Sequence, residues 1–135
     1  MHSNTHHYPI LIKEGHLDTF GHVNNAVYLA LLEEARWDLL TSNGYGLAKI
    51  METRIGPTIL EIKINFLKEL KLRDEIVIET KLVSYHKKIG IISHEIKRGD
   101  ERCCTTEIKL ALFDLNLRKI ISPTPEWLQG IGVIA

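Results

Sequence analysis

Basic excess, long apolar runs and separated cysteines are all missing from this chain. Lys plus Arg and Asp plus Glu number 17 each in 135 residues. The formal net charge is therefore zero, without the positive bias that accompanies nucleic-acid or anionic-membrane binding. A DNA-binding regulator would also need a helix-turn-helix or an added basic segment, and none is legible. No apolar run approaches the roughly 18 residues of a membrane span. The polar start Met1 to His7 lacks the apolar stretch of a signal peptide. The expectation is a cytoplasmic protein whose partners include no nucleic acid and no membrane.

Cysteine is nearly absent as well. Cys103 and Cys104 are adjacent, and neighbours in a strand point to opposite faces, so two reduced thiols are expected rather than a disulfide. Histidine is more plentiful, but His6 and His7 fall in residues 1–7, read as a flexible tail. His16, His22, His86 and His94 show no ligand spacing. No metal site is expected.

What the chain does have is a balanced interior. With 44% hydrophobic and 25% charged residues, positions 1–135 suit one domain and leave no room for a second core. Tyr8 to Lys13 reads as a first strand closed by Gly15. Tyr28, Leu31, Leu32, Ala35 and Leu39 then recur at i, i+3, i+4, i+7 and i+11, one face of a helix. Asn24 or Asn25 can cap its start and Asn43-Gly44 its end, which predicts roughly 18 to 20 residues. After Pro57 the period becomes two: Leu60, Ile62, Ile64 and Phe66 share one face of a half-buried strand. Ile76 to Val83 and Ile89 to Ile96 give two more strands, joined through the polar segment Ser84 to Lys88. Gly99 turns the chain into a long strand over Arg102 to Asp114. Ser122 to Trp127 carries two prolines and ends in a short helical turn. One long helix with four or five strands is an α+β layout, in which an antiparallel sheet bending around the helix buries both apolar faces.

Chemistry concentrates in His16-Leu17-Asp18-Thr19-Phe20-Gly21-His22-Val23-Asn24-Asn25-Ala26-Val27-Tyr28. It places a carboxylate in the loop before the helix. Free N–H groups in a first helical turn, with the positive end of the macrodipole, can hold an oxygen that becomes negative during acyl transfer. Asp18 is close enough in sequence for a looped chain to bring a nucleophile or base beside them, and Gly21 permits a tight backbone approach. Each residue also has a plainer use. Asp18 can make an Asx-turn, Asn24 and Asn25 can cap, and His22 can orient the loop. Glu33 follows Asn25 by about 12 Å of helix, too far for both to touch one reacting atom, and is read as pairing with Arg36 or with polar groups under the sheet. Tyr28 reads as core or pocket wall, Trp37 as packing.

The string Asp18-x-x-Gly21-His22-Val23-Asn24-Asn25-x-x-Tyr28-Leu29, continued by Glu33-x-Ala35-Arg36, resembles the signature of the hotdog-fold acyl-CoA thioesterases of the 4-hydroxybenzoyl-CoA thioesterase-like branch. The strand order, Leu72-Arg73-Asp74-Glu75-Ile76 and the Pro123-x-Pro125-Glu126 ending extend the similarity over nearly the whole chain. The resemblance implies a hotdog fold and a homodimer or homotetramer with active sites at subunit interfaces. Asp18 would then attack the thioester carbonyl or activate water, and the Asn25 N–H would polarise that carbonyl. A histidine often stands at the Asn25 position in that family, and here His22 is the nearby imidazole. The substrate would be a coenzyme A or acyl-carrier-protein thioester, with no cofactor. Gly21, Tyr28, Lys88 and Arg98 are candidate substrate contacts, the two cations for phosphate. Lys87 is a third. The chain keeps the family's base at Lys88 without a following hydroxyl residue. A hotdog dehydratase and a non-catalytic thioester-binding module are the alternatives.

Overall fold

The computed structural model describes residues 2–134. In chain order the elements are β1 (His2–Ser3), β2 (His6–Leu11), α1 (Asn25–Ser42), α2 (Leu47–Thr53), β3 (Ile55–Phe66), β4 (Glu75–His86), β5 (Ile89–Arg98), β6 (Glu101–Asp114), β7 (Lys119–Ile121), α3 (Pro125–Gly130) and β8 (Val133–Ile134). The main sheet is antiparallel with order β2-β4-β5-β6-β3, and β7 pairs with β6. It wraps α1, whose buried residues are Tyr28, Leu31, Leu32, Ala35, Leu39 and Leu40. The apolar stripe read from the sequence is thus the stripe that faces the sheet, and the α+β hotdog expectation holds.

Two apolar clusters sit under the sheet. One joins Tyr28, Leu31, Leu32 and Ala35 to Ile76, Ile78, Ile96 and both cysteines. The other joins Leu40 and Tyr45 to Leu82, Ile92, Leu110, Leu112, Trp127 and Ile131. Burying side chains of this size contributes about 1.5–3 kcal/mol apiece. Cys103 and Cys104 are free, fully buried thiols whose pKa values burial raises.

Residues 2–7 correct the reading of a flexible tail. β1 pairs with β8, Asn4 N–H donates to Gly132 O at 2.8 Å, and His6 Nε2 lies 2.8 Å from Asp38 Oδ2 on α1. These pairings join segments distant in the same chain, which local composition does not display. Met1 lies outside the described residues.

β3 departs from its expected pattern in two ways. A bulge between Ile59 and Glu61 leaves Leu60 unpaired, so the face runs Pro57 and Ile59 before it and Ile62, Ile64 and Phe66 after it. The strand is also one of the sheet's two edges, and Ile59, Leu60, Ile62 and Phe66 are 39–46% exposed, so even its apolar face is only about half covered. β4 runs on through the segment read as a polar connection. Val83 is taken up in a bulge, and the turn shrinks to Lys87-Lys88, with Lys87 at φ +55°. The helical turn near Trp127 is present, capped by Thr124, whose Oγ1 accepts from Trp127 N–H at 3.2 Å. Among the described residues no helix is long and apolar enough to cross a membrane.

Candidate active site

The loop between β2 and α1 is a knot of short hydrogen bonds. Asp18 N–H donates to His22 O at 2.9 Å and Gly21 N–H to Asp18 O at 3.1 Å, while Leu17 and Val23 form an isolated bridge. Asp18 Oδ1 accepts from Phe20 N–H at 2.9 Å and from His22 N–H at 3.3 Å. This is the Asx-turn that the residue type allows. It engages one carboxylate oxygen and leaves Oδ2 without a protein hydrogen bond among the described residues. Gly21 sits at φ +80°, the left-handed region that side chains other than glycine resist. Phe20, at the loop's tip, is 82% exposed.

Four N–H groups open α1. Asn24 Oδ1 accepts from Ala26 N–H at 2.9 Å, and Asn24 O accepts from Val27 and Tyr28 at 2.9 and 3.3 Å. The Asn25 N–H alone has no protein acceptor among the described residues. An 18-residue helix thus presents one unpaired donor at its positive end. Asn24 is the cap and Asn25 the first helical residue, which resolves the pair that the sequence left open.

Beside this donor lies a shallow cleft of about 300 Å³, lined by His22, Asn25, Tyr28, Phe66, Lys68 and Glu69 among others. Tyr28 is 4% exposed and meets Phe66 edge-on at 4.9 Å between ring centroids. It forms part of the cleft's wall, and burial raises its phenol pKa. His22 Nδ1 pairs with Glu69 Oε1, tying the loop to the β3–β4 connection. Phe66, Lys68 and Glu69 were not anticipated as site residues. They arrive from forty positions away, in a run of alternating charge that carries no local signal.

The three candidate phosphate contacts do not converge: Lys87 and Lys88 share the β4–β5 turn, far from Arg98. Arg98 is engaged by its own chain: Nη1 donates to Asp74 Oδ2 at 2.7 Å and Glu69 O at 3.0 Å, and Nε and Nη2 donate to Glu101 Oε1 at 3.2 and 2.6 Å. Those carboxylates hold its pKa above the usual range, and the Arg98 guanidinium helps hold Asp74 below its own. Arg98 is a clamp across the β3–β4 connection, not a free cation. Lys88 is exposed on the β4–β5 turn. The site loop lies at the opposite end of β4, where Ile12 N–H donates to Asp74 O, so about 35 Å of strand intervenes. One chain does not bring Lys88 to Asp18. Glu33 does not pair with Arg36 either. It accepts from Trp37 Nε1 at 3.4 Å, whereas Arg36 donates to His94.

Residues 12–131 match the model of a thioesterase-like superfamily. The chain belongs to that superfamily. It is therefore a thioester hydrolase, as the loop motif implied. It is 33% identical over 115 residues to the long-chain acyl-CoA thioesterase FadM of Escherichia coli strain K12, covering 84% of this chain and 86% of that protein. Among solved structures it is similar to YbaW, a probable thioesterase from Escherichia coli, with 29% identity, 96% of both chains covered and a TM-score of 0.81. It also shares its fold with SAV2348 from Staphylococcus aureus, described in complex with CoA, at 17% identity over 97% of this chain and 84% of that one, TM-score 0.87.

Proposed function

We propose that this member of the superfamily hydrolyses acyl-CoA thioesters, with Asp18 and the Asn25 N–H as the reacting pair. The observation that carries the reading is the unpaired Asn25 donor at the head of α1, beside the loop that holds Asp18. A thioester carbonyl oxygen accepting from that N–H gains charge as the carbonyl is attacked, and a donor fixed in place needs no reorganisation when it does. Asp18 then acts in one of two ways. Its carboxylate attacks the carbonyl carbon, expelling the thiolate and leaving an anhydride that water cleaves. Otherwise it takes a proton from water, whose oxygen attacks directly. In either route the thiolate leaves protonated and the acyl group leaves as a carboxylic acid, without a cofactor. His22, paired with Glu69, and Gly21, in its left-handed turn, hold the loop that aims Asp18. Coenzyme A as carrier is supported by the activity named for FadM.

A second copy of the chain completes the site in this reading. β3 presents an unpaired backbone edge together with exposed Ile59, Leu60, Ile62 and Phe66, a combination that a stable protein covers. Pairing two β3 edges would bury it beside the cleft, and a partner could supply the exposed Lys88 that one chain holds too far away. Ile62→Lys should convert a dimer to a monomer in sedimentation velocity; a wild type that is already monomeric ends this part of the reading.

The test of the chemistry is release of free thiol from short, medium, long and aromatic acyl-CoAs, comparing wild type with Asp18→Asn. Turnover that falls about a hundredfold in kcat supports Asp18 as the reacting carboxylate. Equal turnover reduces Asp18 to a turn residue. No turnover, with an acyl-CoA still raising Tm, indicates a binding module.

A further inference from the structure

A seam runs between α1 and β3, with a cavity at each end walled by residues of both elements. On the helix Asn25, Leu29, Glu33, Arg36 and Leu40 follow one another at three- and four-residue spacing and so share a stripe. Across from it stand Phe66, Ile62 and Ile59, apolar and more than a third exposed. The cleft at Asn25 and Phe66 occupies one end of the seam. A second cavity of about 220 Å³ occupies the other, its walls including Arg36, Trp37, Leu40, Ile59, Leu110 and Trp127.

That otherwise apolar wall carries two charges, the exposed Glu33 and the part-buried Arg36. Its Nη1 lies 3.2 Å from His94 Nε2, and the other His94 nitrogen lies 2.7 Å from Thr80 Oγ1. His94 is fully buried, and burial together with Arg36 pushes its pKa down to about 3. The ring is therefore neutral, with Nε2 accepting from the guanidinium and Nδ1–H facing the threonine. A guanidinium carries five donors, and among the described residues no carboxylate pairs with this one; burial lowers its pKa. Glu33, one turn back on the same stripe, also lines the cavity and its charge acts on Arg36 through space without a direct ion pair, so guanidinium donors remain unspent and an arriving acceptor is favoured. The wall is thus built to take an oxygen.

We propose that this cavity receives the distal part of the acyl chain, and that Arg36 selects chains bearing an acceptor oxygen there, as a hydroxyl, oxo or carboxylate group. The inference deepens the thioesterase reading and rests on it, because the thioester carbonyl is placed at Asn25. From Asn25 to Arg36 the helix rises about 16 Å, a span that an extended chain of roughly a dozen carbons covers.

Thioethers of coenzyme A test the pocket without turnover, since they have no carbonyl to hydrolyse. Trp37 and Trp127 are the chain's two tryptophans and both line the cavity, so intrinsic fluorescence reads its occupation. S-dodecyl-CoA, its ω-hydroxy analogue and the ω-carboxy analogue are titrated into wild type, Arg36→Met and Arg36→Lys. At least one oxygenated chain should bind wild type about tenfold tighter than the plain chain, one added charge-assisted hydrogen bond. Arg36→Met should abolish that preference and Arg36→Lys should keep part of it. The hydroxy and carboxy arms show which acceptor is read. Equal binding of all three chains by wild type overturns the proposal even if Arg36→Met fails to fold, and so does a preference that survives in Arg36→Met. Turnover of the short, medium, long and aromatic acyl-CoA panel is scored on the same wild-type protein. Its absence removes the thioesterase reading, while the thioether ratio alone decides the pocket.

Discussion

The two ends of α1 are finished differently. At its C-terminal end Asn43 N–H donates to Leu39 and Leu40 carbonyls, Tyr45 N–H donates to Leu40 O at 2.8 Å, and Asn43 Nδ2 reaches Gly130 O at 3.1 Å. Gly44 at φ +82° reverses the chain, and Leu40, Tyr45, Leu112 and Trp127 bury the whole corner. At the N-terminal end the cap is made, the loop is exposed, and one donor is left over. A helix end whose polar groups are all satisfied contributes stability. One that keeps a donor free at the positive pole of the dipole forgoes part of that and offers a place for an oxygen.

If this division is right, the closed end can be damaged without touching the chemistry. Leu112 is fully buried there and lines neither cavity itself, although its cluster partners Leu40, Leu110 and Trp127 wall the second one, far from Asp18. Leu112→Ala should cost about 2–5 kcal/mol in denaturant unfolding through lost transfer energy and a cavity, with kcat on short acyl-CoAs unchanged. A comparable loss of kcat would mean the ends are coupled. The β5 histidine that meets Arg36 at the middle of the helix offers the next largest effect. His94, whose folded pKa of about 3 lies below its ordinary 6.5, takes up protons more readily unfolded than folded. Its contribution is therefore intact above pH 6.5 and lost as pH falls toward 3. The wild type should lose about 3 kcal/mol between pH 6.5 and about pH 4 from this group, a slope that flattens in His94→Gln when Tm is followed across the same range.

Much of the closed and central helix could be read from the sequence, because its information is periodic. The spacing of Tyr28, Leu31, Leu32, Ala35 and Leu39 needs no partner to be legible, and the loop motif from Asp18 to Tyr28 is contiguous. What the sequence did not show depends on distant pairing. β1 exists because Val133 and Ile134 lie opposite it. Phe66, Lys68 and Glu69 reach the cleft only through the path of β3 and the connection after it, and nothing near Arg98 foretells that Asp74, 24 residues away, will share it with the nearby Glu101. The bulge at Leu60 hid in the same way. An unbroken alternation of apolar residues does not reveal that one of them stands outside the ladder.

At the open end the expected effects are smaller in energy and more diagnostic. Asp18→Asn keeps a side-chain oxygen that can accept from Phe20 and His22, so the turn survives. Tm should move little while kcat on the best acyl-CoA drops about a hundredfold, equivalent to about 2.7 kcal/mol of transition-state stabilisation. A fall in Tm that tracks the fall in activity would instead identify the carboxylate as structural.

The gentlest change discriminates most finely. Asn24→Asp preserves an oxygen acceptor for Ala26 N–H and adds a negative charge beside the positive end of α1. As a cap it should raise stability by about 0.3–1 kcal/mol. As a neighbour of an oxygen that becomes negative at Asn25, the same charge repels the transition state and should lower kcat several-fold, least at high salt, where exposed charges are screened. Stability and activity would then move in opposite directions from one substitution. A helix end that served only the fold would gain stability with no change in turnover.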